Sequence, residues 1–236
     1  MLDGIDTAGL ELQALDAADF ADLDDFPAGD IPPRKQRQAE ARALRTRNRI
    51  ATRRATSEAT LRDLLPALIE DGDSWHVISG GDIDSLSYLQ HLMRAEPWEY
   101  LCISTWRMAM QDVEQLAAWL NAGRLKFLDA YTGEILPSQY PTVHEALCAT
   151  VRAHRGRVAT FRNHSKVALL ANGETGRYAV VESSANMNTN PRTEQTVVTL
   201  DSALFAFYAD FFAGIKSFND NFSAWERSSP APKLVQ

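Results

Sequence analysis

The feature that most restricts the fold is a series of short apolar segments, each followed by a stretch with helical spacing. "WHVIS", residues 75–79, runs through Gly80 and Gly81 into a segment that Asp84 or Ser85 can cap, with Leu86, Leu89, Leu92 and Met93 on one face. "YLCIST" (100–105), "RLKFLDAY" (124–131) and "RVATF" (157–161) continue the series, separated by helical "MQDVEQLAAWLNAG" (110–123) and "TVHEALCATVRAHRG" (142–156). Upstream, "TSEATLRDLLPALIE" (56–70) reads as a helix capped by Thr56 or Ser57, with Leu61, Leu64, Leu65 and Leu68 apolar and a kink at Pro66. "EQTVVTL" (194–200) is a later strand, and "DSALFAFYADFFAGIKSF" (201–218) an aromatic-rich closing helix. Buried strands alternating with helices of this length predict an α/β domain whose mixed, mostly parallel sheet carries helices on both faces.

The chain has 236 residues, 45% of them hydrophobic, which is enough for one substantial core. No run approaches the roughly 18 apolar residues of a membrane span, so a soluble, cytoplasmic protein without membrane contact is expected. Cys102 and Cys148 are far apart and lack metal-ligand spacing, so they are read as buried thiols, with no metal or other cofactor.

The net charge of -7 conceals an asymmetry. Residues 1–30 hold nine acidic side chains and no Lys or Arg. Residues 34–54 hold nine basic ones, Arg34, Lys35, Arg37, Arg42, Arg45, Arg47, Arg49, Arg53 and Arg54, against the single Glu40. The remainder therefore carries about -6, so a polyanion is drawn to the arm and not to the body. Four regions follow: an acidic mobile tail (1–33), an Arg-rich helical arm (34–56), the α/β domain (57–225) and a C-terminal tail (226–236). Nucleic acid is the expected partner of the arm, and the acidic tail could meet a protein partner or cover the arm itself.

"FRNHSKVALLANGETGRYAVVESSANMNTNPRTE", residues 161–194, departs from the alternation as an apolar hairpin with polar ends. His164 and Lys166 are two apart on one strand, as Ser184 and Asn186 are on the next, so each pair shares a face. With 172–176 as the loop, Ala171 pairs with Arg177 and His164 stands opposite Ser184, which brings all four groups to one face; a slip of one residue would separate them. An imidazole, an ammonium, a hydroxyl and a carboxamide together supply a nucleophile and donors to phosphate oxygens. His76, His91, His144 and His154 have no such company and are read as ordinary core or surface histidines.

"HSK", followed after the turn by "SSANMN" and "RTEQ", resembles the signature of the phospholipase D superfamily: H-x-K, an Asp, G-S-x-N, then an acidic residue. The resemblance implies a phospholipase D-like fold and a metal-independent phosphodiesterase, nuclease-like in its single motif. It implies that His164 attacks phosphorus to form a phosphohistidine, that Lys166 and Asn186 clamp the phosphoryl oxygens, that Ser184 supports them, and that Glu194 orients an imidazole. One H-x-K per chain further implies a homodimer whose twofold axis supplies the second histidine. Two departures stand out, because Ala171 fills the Asp position and Ser183 the Gly position. They motivate the rival expectation of a catalytically degenerate nucleic-acid-binding or regulatory protein.

Overall fold

The structure, a computed structural model, describes residues 54–187 and 192–218. The acidic tail, arm residues 34–53 and the C-terminal tail lie outside the described residues. In chain order the elements are α1 (54–64), β1 (Ser74–Ser79), α2 (Ser85–Ala95), β2 (Tyr100–Thr105), α3 (Met110–Asn121), β3 (Phe127–Gly133), α4 (Ile135–Gln139), α5 (Pro141–Ala153), β4 (Arg157–Phe161), β5 (Val167–Asn172), β6 (Arg177–Ser183), β7 (Glu194–Thr199) and α6 (Ser202–Ala213). Each segment singled out in the sequence forms the predicted element, and α4 is an unanticipated short addition.

The seven strands form one sheet in the order β1-β7-β6-β5-β2-β3-β4. The fold is α/β with a mixed sheet and helices on both faces, consistent with a phospholipase D-like arrangement. Only β2–β3 and β3–β4 are parallel pairings; β5–β2, β6–β5, β7–β6 and β1–β7 are antiparallel. Five strands nevertheless point the same way, because only β5 and β7 are reversed. The hairpin inserts beside β2 at the sheet centre, which is why "VALLA" and "YAVV" are apolar on both faces. β1, which follows the pattern of a buried strand, is an edge strand with Ile78 77% exposed.

Alternate residues of each strand serve opposite layers. Leu101, Ile103, Leu128, Ala130, Leu170 and Val181 pack with apolar residues of α1 to α5. Tyr100, Cys102, Tyr131, Leu169, Ala171 and Val180 pack instead against Phe205 and Phe212 of α6. Both cysteines are buried free thiols. No helix among the described residues is long and apolar enough to cross a membrane.

Three details of the first helix depart from the sequence reading. Ser57 is not a cap: it is buried inside α1, where its Oγ donates to the Asp82 carbonyl (2.7 Å) and accepts from the Asp84 N–H (3.1 Å). Leu64 and Leu68 are half exposed, and Leu61, Leu65 and Ile69 fill the core instead. The helix ends before Pro66 without kinking, since a proline disfavours helical geometry in the residue preceding it. Arg54, counted with the arm, is instead engaged within the fold. Its guanidinium donates to Asp112 (3.0 Å) and Asp84 (3.4 Å), and its side chain is only 17% exposed. The carboxylates have structural tasks of their own, Asp84 capping α2 through the Leu86 N–H and Asp112 accepting from the Ala109 N–H at the start of α3.

Burial, reinforced by the neighbouring Asp84, pushes the Asp112 carboxyl up from 3.8 to about 7, against the opposing pull of the Ala109 N–H and Arg54. Between those two values the folded chain holds a proton that the unfolded chain has released, so this group lowers stability as pH rises from about 4 to 7. The slope is at most about 1.4 kcal/mol per pH unit. Asp112→Asn should flatten it: urea-unfolding free energies of wild type and variant, compared at pH 5 and pH 8, should diverge in favour of the variant at the higher pH. Parallel curves would show that Arg54 keeps the carboxylate ionised throughout.

Candidate active site

One end of the sheet gathers every strand terminus that bears a candidate residue. β2, β3 and β4 finish there, and the pairings Ser104 with Val167, Val167 with Glu182, Ser183 with Thr196 and Ser79 with Glu194 bring the ends of β5, β6, β7 and β1 alongside. This is the carboxyl end of the parallel strands, where open α/β sheets bind ligands. Since β4 is at the edge and β5 lies beside β2, residues 162–166 must cross over the ends of β3 and β2.

Asn163, buried at 4% exposure, pins that crossing. Its Nδ2 donates to the Tyr131 carbonyl on β3 (3.0 Å) and to Ser104 Oγ on β2 (2.9 Å), while its Oδ1 accepts from the Ser165 N–H (2.9 Å) and Oγ (2.7 Å). Ser104 and Ser165 also share a 2.6 Å hydroxyl contact. Gly133, the last residue of β3, leaves room for the link. A Cβ there would lie 2.5 Å from Trp106 Cδ1, 2.8 Å from the Trp106 carbonyl and 2.9 Å from the Asn163 carbonyl. Held between two fixed neighbours, His164 is exposed, with its ring 5.4 Å from the Trp106 ring at a 50° tilt.

Lys166 Nζ donates to the His164 carbonyl (2.8 Å) and is 2.8 Å from Nδ1 of its imidazole. The same Nζ is 3.4 Å from Nε2, so the ammonium lies against the ring and not along the lone pair of one nitrogen. Partial burial lowers the Lys166 pKa from its ordinary 10.5, and the negative charge of Glu194 opposes the shift. Glu194 in turn accepts from Ser184 Oγ, while the Ser184 N–H donates to the Gln195 carbonyl (3.0 Å). His164 and Lys166 are thus in contact, Ser184 and Glu194 are hydrogen-bonded, and the charge of Glu194 acts on Lys166 across the strand ends. Asn186 stands apart from it: its Oδ1 is buried with no hydrogen-bond partner among the described residues.

This grouping arises by a different geometry from the one the sequence reading assumed. Asn172 pairs with Arg177 and Val167 with Glu182, a slip of one residue, so Lys166 lies beside Ser183 and not Glu182. A slip of one reverses the facing of every residue on the partner strand. The groups still lie at the same end of the sheet because regular pairing ends there: β5 begins only at Val167, and the chain bends at Ser184 and Ala185. Ser183, in the glycine position of the motif, is accommodated across the strands. Its Oγ contacts Thr196 Oγ1 (2.9 Å) and accepts from the Ala185 N–H (3.1 Å), fixing the bend that follows.

Below Lys166 and Ser183 is a small cavity, about 20 Å³, also lined by Tyr88, Thr105 and Met187, with room for about one water molecule. Burial raises the Tyr88 pKa, so the phenol stays protonated, and it is hydrogen-bonded with Thr196. Ala171, in the motif's Asp position, is fully buried in the apolar layer under α6. His91 contacts the Pro66 carbonyl, His144 the buried Cys148 thiol and His154 the Asn121 side chain, which fits their reading as ordinary histidines. Asn163, Ser104, Ser165, Gly133, Trp106 and Tyr88 escaped the sequence reading. The only local signal was that Asn163 and Ser165 flank His164.

No protein-family model matches the sequence, and no curated protein matches it. Among solved structures, polyphosphate kinase from Porphyromonas gingivalis is similar at TM-score 0.47 and 14% identity over 68% of this chain and 27% of that one. Phosphatidylserine synthase from Haemophilus influenzae is similar at TM-score 0.43 and 14% identity over 59% of this chain and 37% of that one. TrmBL2, an archaeal chromatin protein, is similar at TM-score 0.44 and 10% identity over 78% of this chain and 68% of that one. The chain thus spans well under half the length of the first two.

Asn163→Ala should remove the partners of both Ser165 groups and of the Tyr131 carbonyl, costing about 2–3 kcal/mol in a urea titration. Ser165→Ala, which breaks fewer contacts, should cost less. Equal and negligible losses would show that the crossing is held by other contacts.

Proposed function

We propose that the protein is a metal-independent phosphodiesterase acting on nucleic acid, with His164 as nucleophile. The reading is supported by the His164–Lys166 contact and the Ser184–Glu194 hydrogen bond at the same end of the sheet, among residues that match the motif the sequence resembles. A phosphoryl anion entering there attracts the Lys166 ammonium away from the imidazole. An imidazole nitrogen then attacks phosphorus, the bond to the leaving oxygen breaks with its electron pair, and that oxygen takes a proton. Water cleaves the P–N bond in the second step and regenerates the imidazole. Lys166 and the Ser184 hydroxyl stabilise the charge on the phosphoryl oxygens, and Asn186 would need to turn its amide toward them.

The two steps require a proton carrier besides His164. We assign it to the His164 of a twofold partner, in keeping with one motif per chain. The basic arm, Arg34 to Arg53, supplies sequence-independent affinity for phosphates. A second reading is favoured by the fully buried Ala171 and the unengaged Asn186: a non-catalytic nucleic-acid-binding protein that retains the fold.

Cleavage of single- and double-stranded substrates in EDTA separates the two. Turnover should persist in EDTA, fall to background in His164→Ala, and drop roughly 100–1,000-fold in Lys166→Ala. Salt-sensitive binding without turnover supports the second reading, and activity surviving His164→Ala defeats the first. Sedimentation equilibrium at micromolar protein should give twice the chain mass; a monomer that remains active would remove the partner histidine from the mechanism.

A further inference from the structure

The residue after β2, Trp106, belongs to neither apolar layer of the core and is only partly buried. Its position is nevertheless fixed. The indole edge lies over the end of β3 where Gly133 omits a Cβ, and its ring stands 5.4 Å from His164. The Arg107 guanidinium is 5.8 Å from the Trp106 ring centroid, and its Nη1 donates to the Tyr140 hydroxyl at 3.3 Å. A rigid π-surface therefore adjoins the imidazole, with a cation one residue further on. The part of the indole left uncovered beside His164 is apolar surface that a flat ring can cover.

We infer that Trp106 is a stacking shelf for the base flanking the reacting phosphate, and that Arg107 faces the next phosphate along the strand. The inference rests on the phosphodiesterase reading of the same site and narrows it to single-stranded nucleic acid. A base must leave its duplex stack to lie on an indole, and base–aromatic stacking tolerates any sequence. A lipid diester offers no π-face to such a shelf. The pairing of flat ring and phosphate is specific to a nucleotide unit.

Phosphate contacts are cancelled by comparing two strands of equal length, a mixed-sequence single-stranded oligonucleotide and a fully abasic one, by fluorescence anisotropy at fixed salt. Wild type should bind the base-bearing strand roughly 10-fold tighter. Trp106→Leu should abolish the difference, and Trp106→Phe should keep part of it. If the leucine variant fails to fold, the indole emission of wild type minus that of Trp106→Phe reports on Trp106 alone. It should be quenched by the base-bearing strand and not by the abasic one. Equal affinities in wild type, no binding of either strand, a preference that persists in Trp106→Leu, or equal quenching by both strands would each overturn the shelf. None of these readouts requires turnover, so a failed shelf is distinguishable from a failed nuclease, which His164→Ala tests separately.

Discussion

The peptide between β4 and β5 has to pass over the ends of β3 and β2, and of its residues 162–166 only Asn163 is buried. Three strand spacings of about 4.8 Å make roughly 14 Å, and six Cα steps span at most about 20 Å, so the link has slack for little more than one local turn. Asn163 holds the link with one side chain, whose amide donates to β2 and β3 while its oxygen receives the link's own N–H and hydroxyl at Ser165. A carboxamide is suited to this because it donates and accepts at once. Gly133 completes the fit by omitting the only atom that would obstruct the path. His164 and Lys166 owe their position to this crossing more than to any strand pairing.

Charge at the site is arranged with similar economy. Lys166 is partly desolvated, which disfavours its ammonium, and Glu194 is near enough to offset part of that cost. The Lys166 ammonium also rests against the His164 imidazole, 2.8 Å from Nδ1. An arriving phosphate would relieve this arrangement, because its oxygens are better acceptors for an ammonium than an imidazole nitrogen is. At the start of α2, Arg54 shows the opposite fate for a basic residue: two buried carboxylates hold it, and it contributes to the fold.

Much of the fold was legible because burial leaves a periodic trace. "YLCIST" coincides with β2 to the residue, and Asp84 caps α2 as its position foretold. The candidate site was legible in kind and not in geometry. His164, Lys166, Ser184 and Glu194 lie at the same end of the sheet, yet the register that was to align them is off by one. The hairpin could not reveal this, since a segment apolar on both faces carries no alternation to fix its register. Asn163 and Gly133 left no signal of their own, because their importance lies in what crosses above them.

The sequence by itself determined the order of strands and helices, the apolar centre of the hairpin and the motif residues, all of which depend on neighbours within a few positions. Tertiary structure alone decided that β1 is an edge, that β5 lies against β2, and that the link must cross two strand ends with Trp106 beside it. Those outcomes follow from which strands pair across long separations, a competition among many similar apolar surfaces that is settled by packing the whole sheet at once.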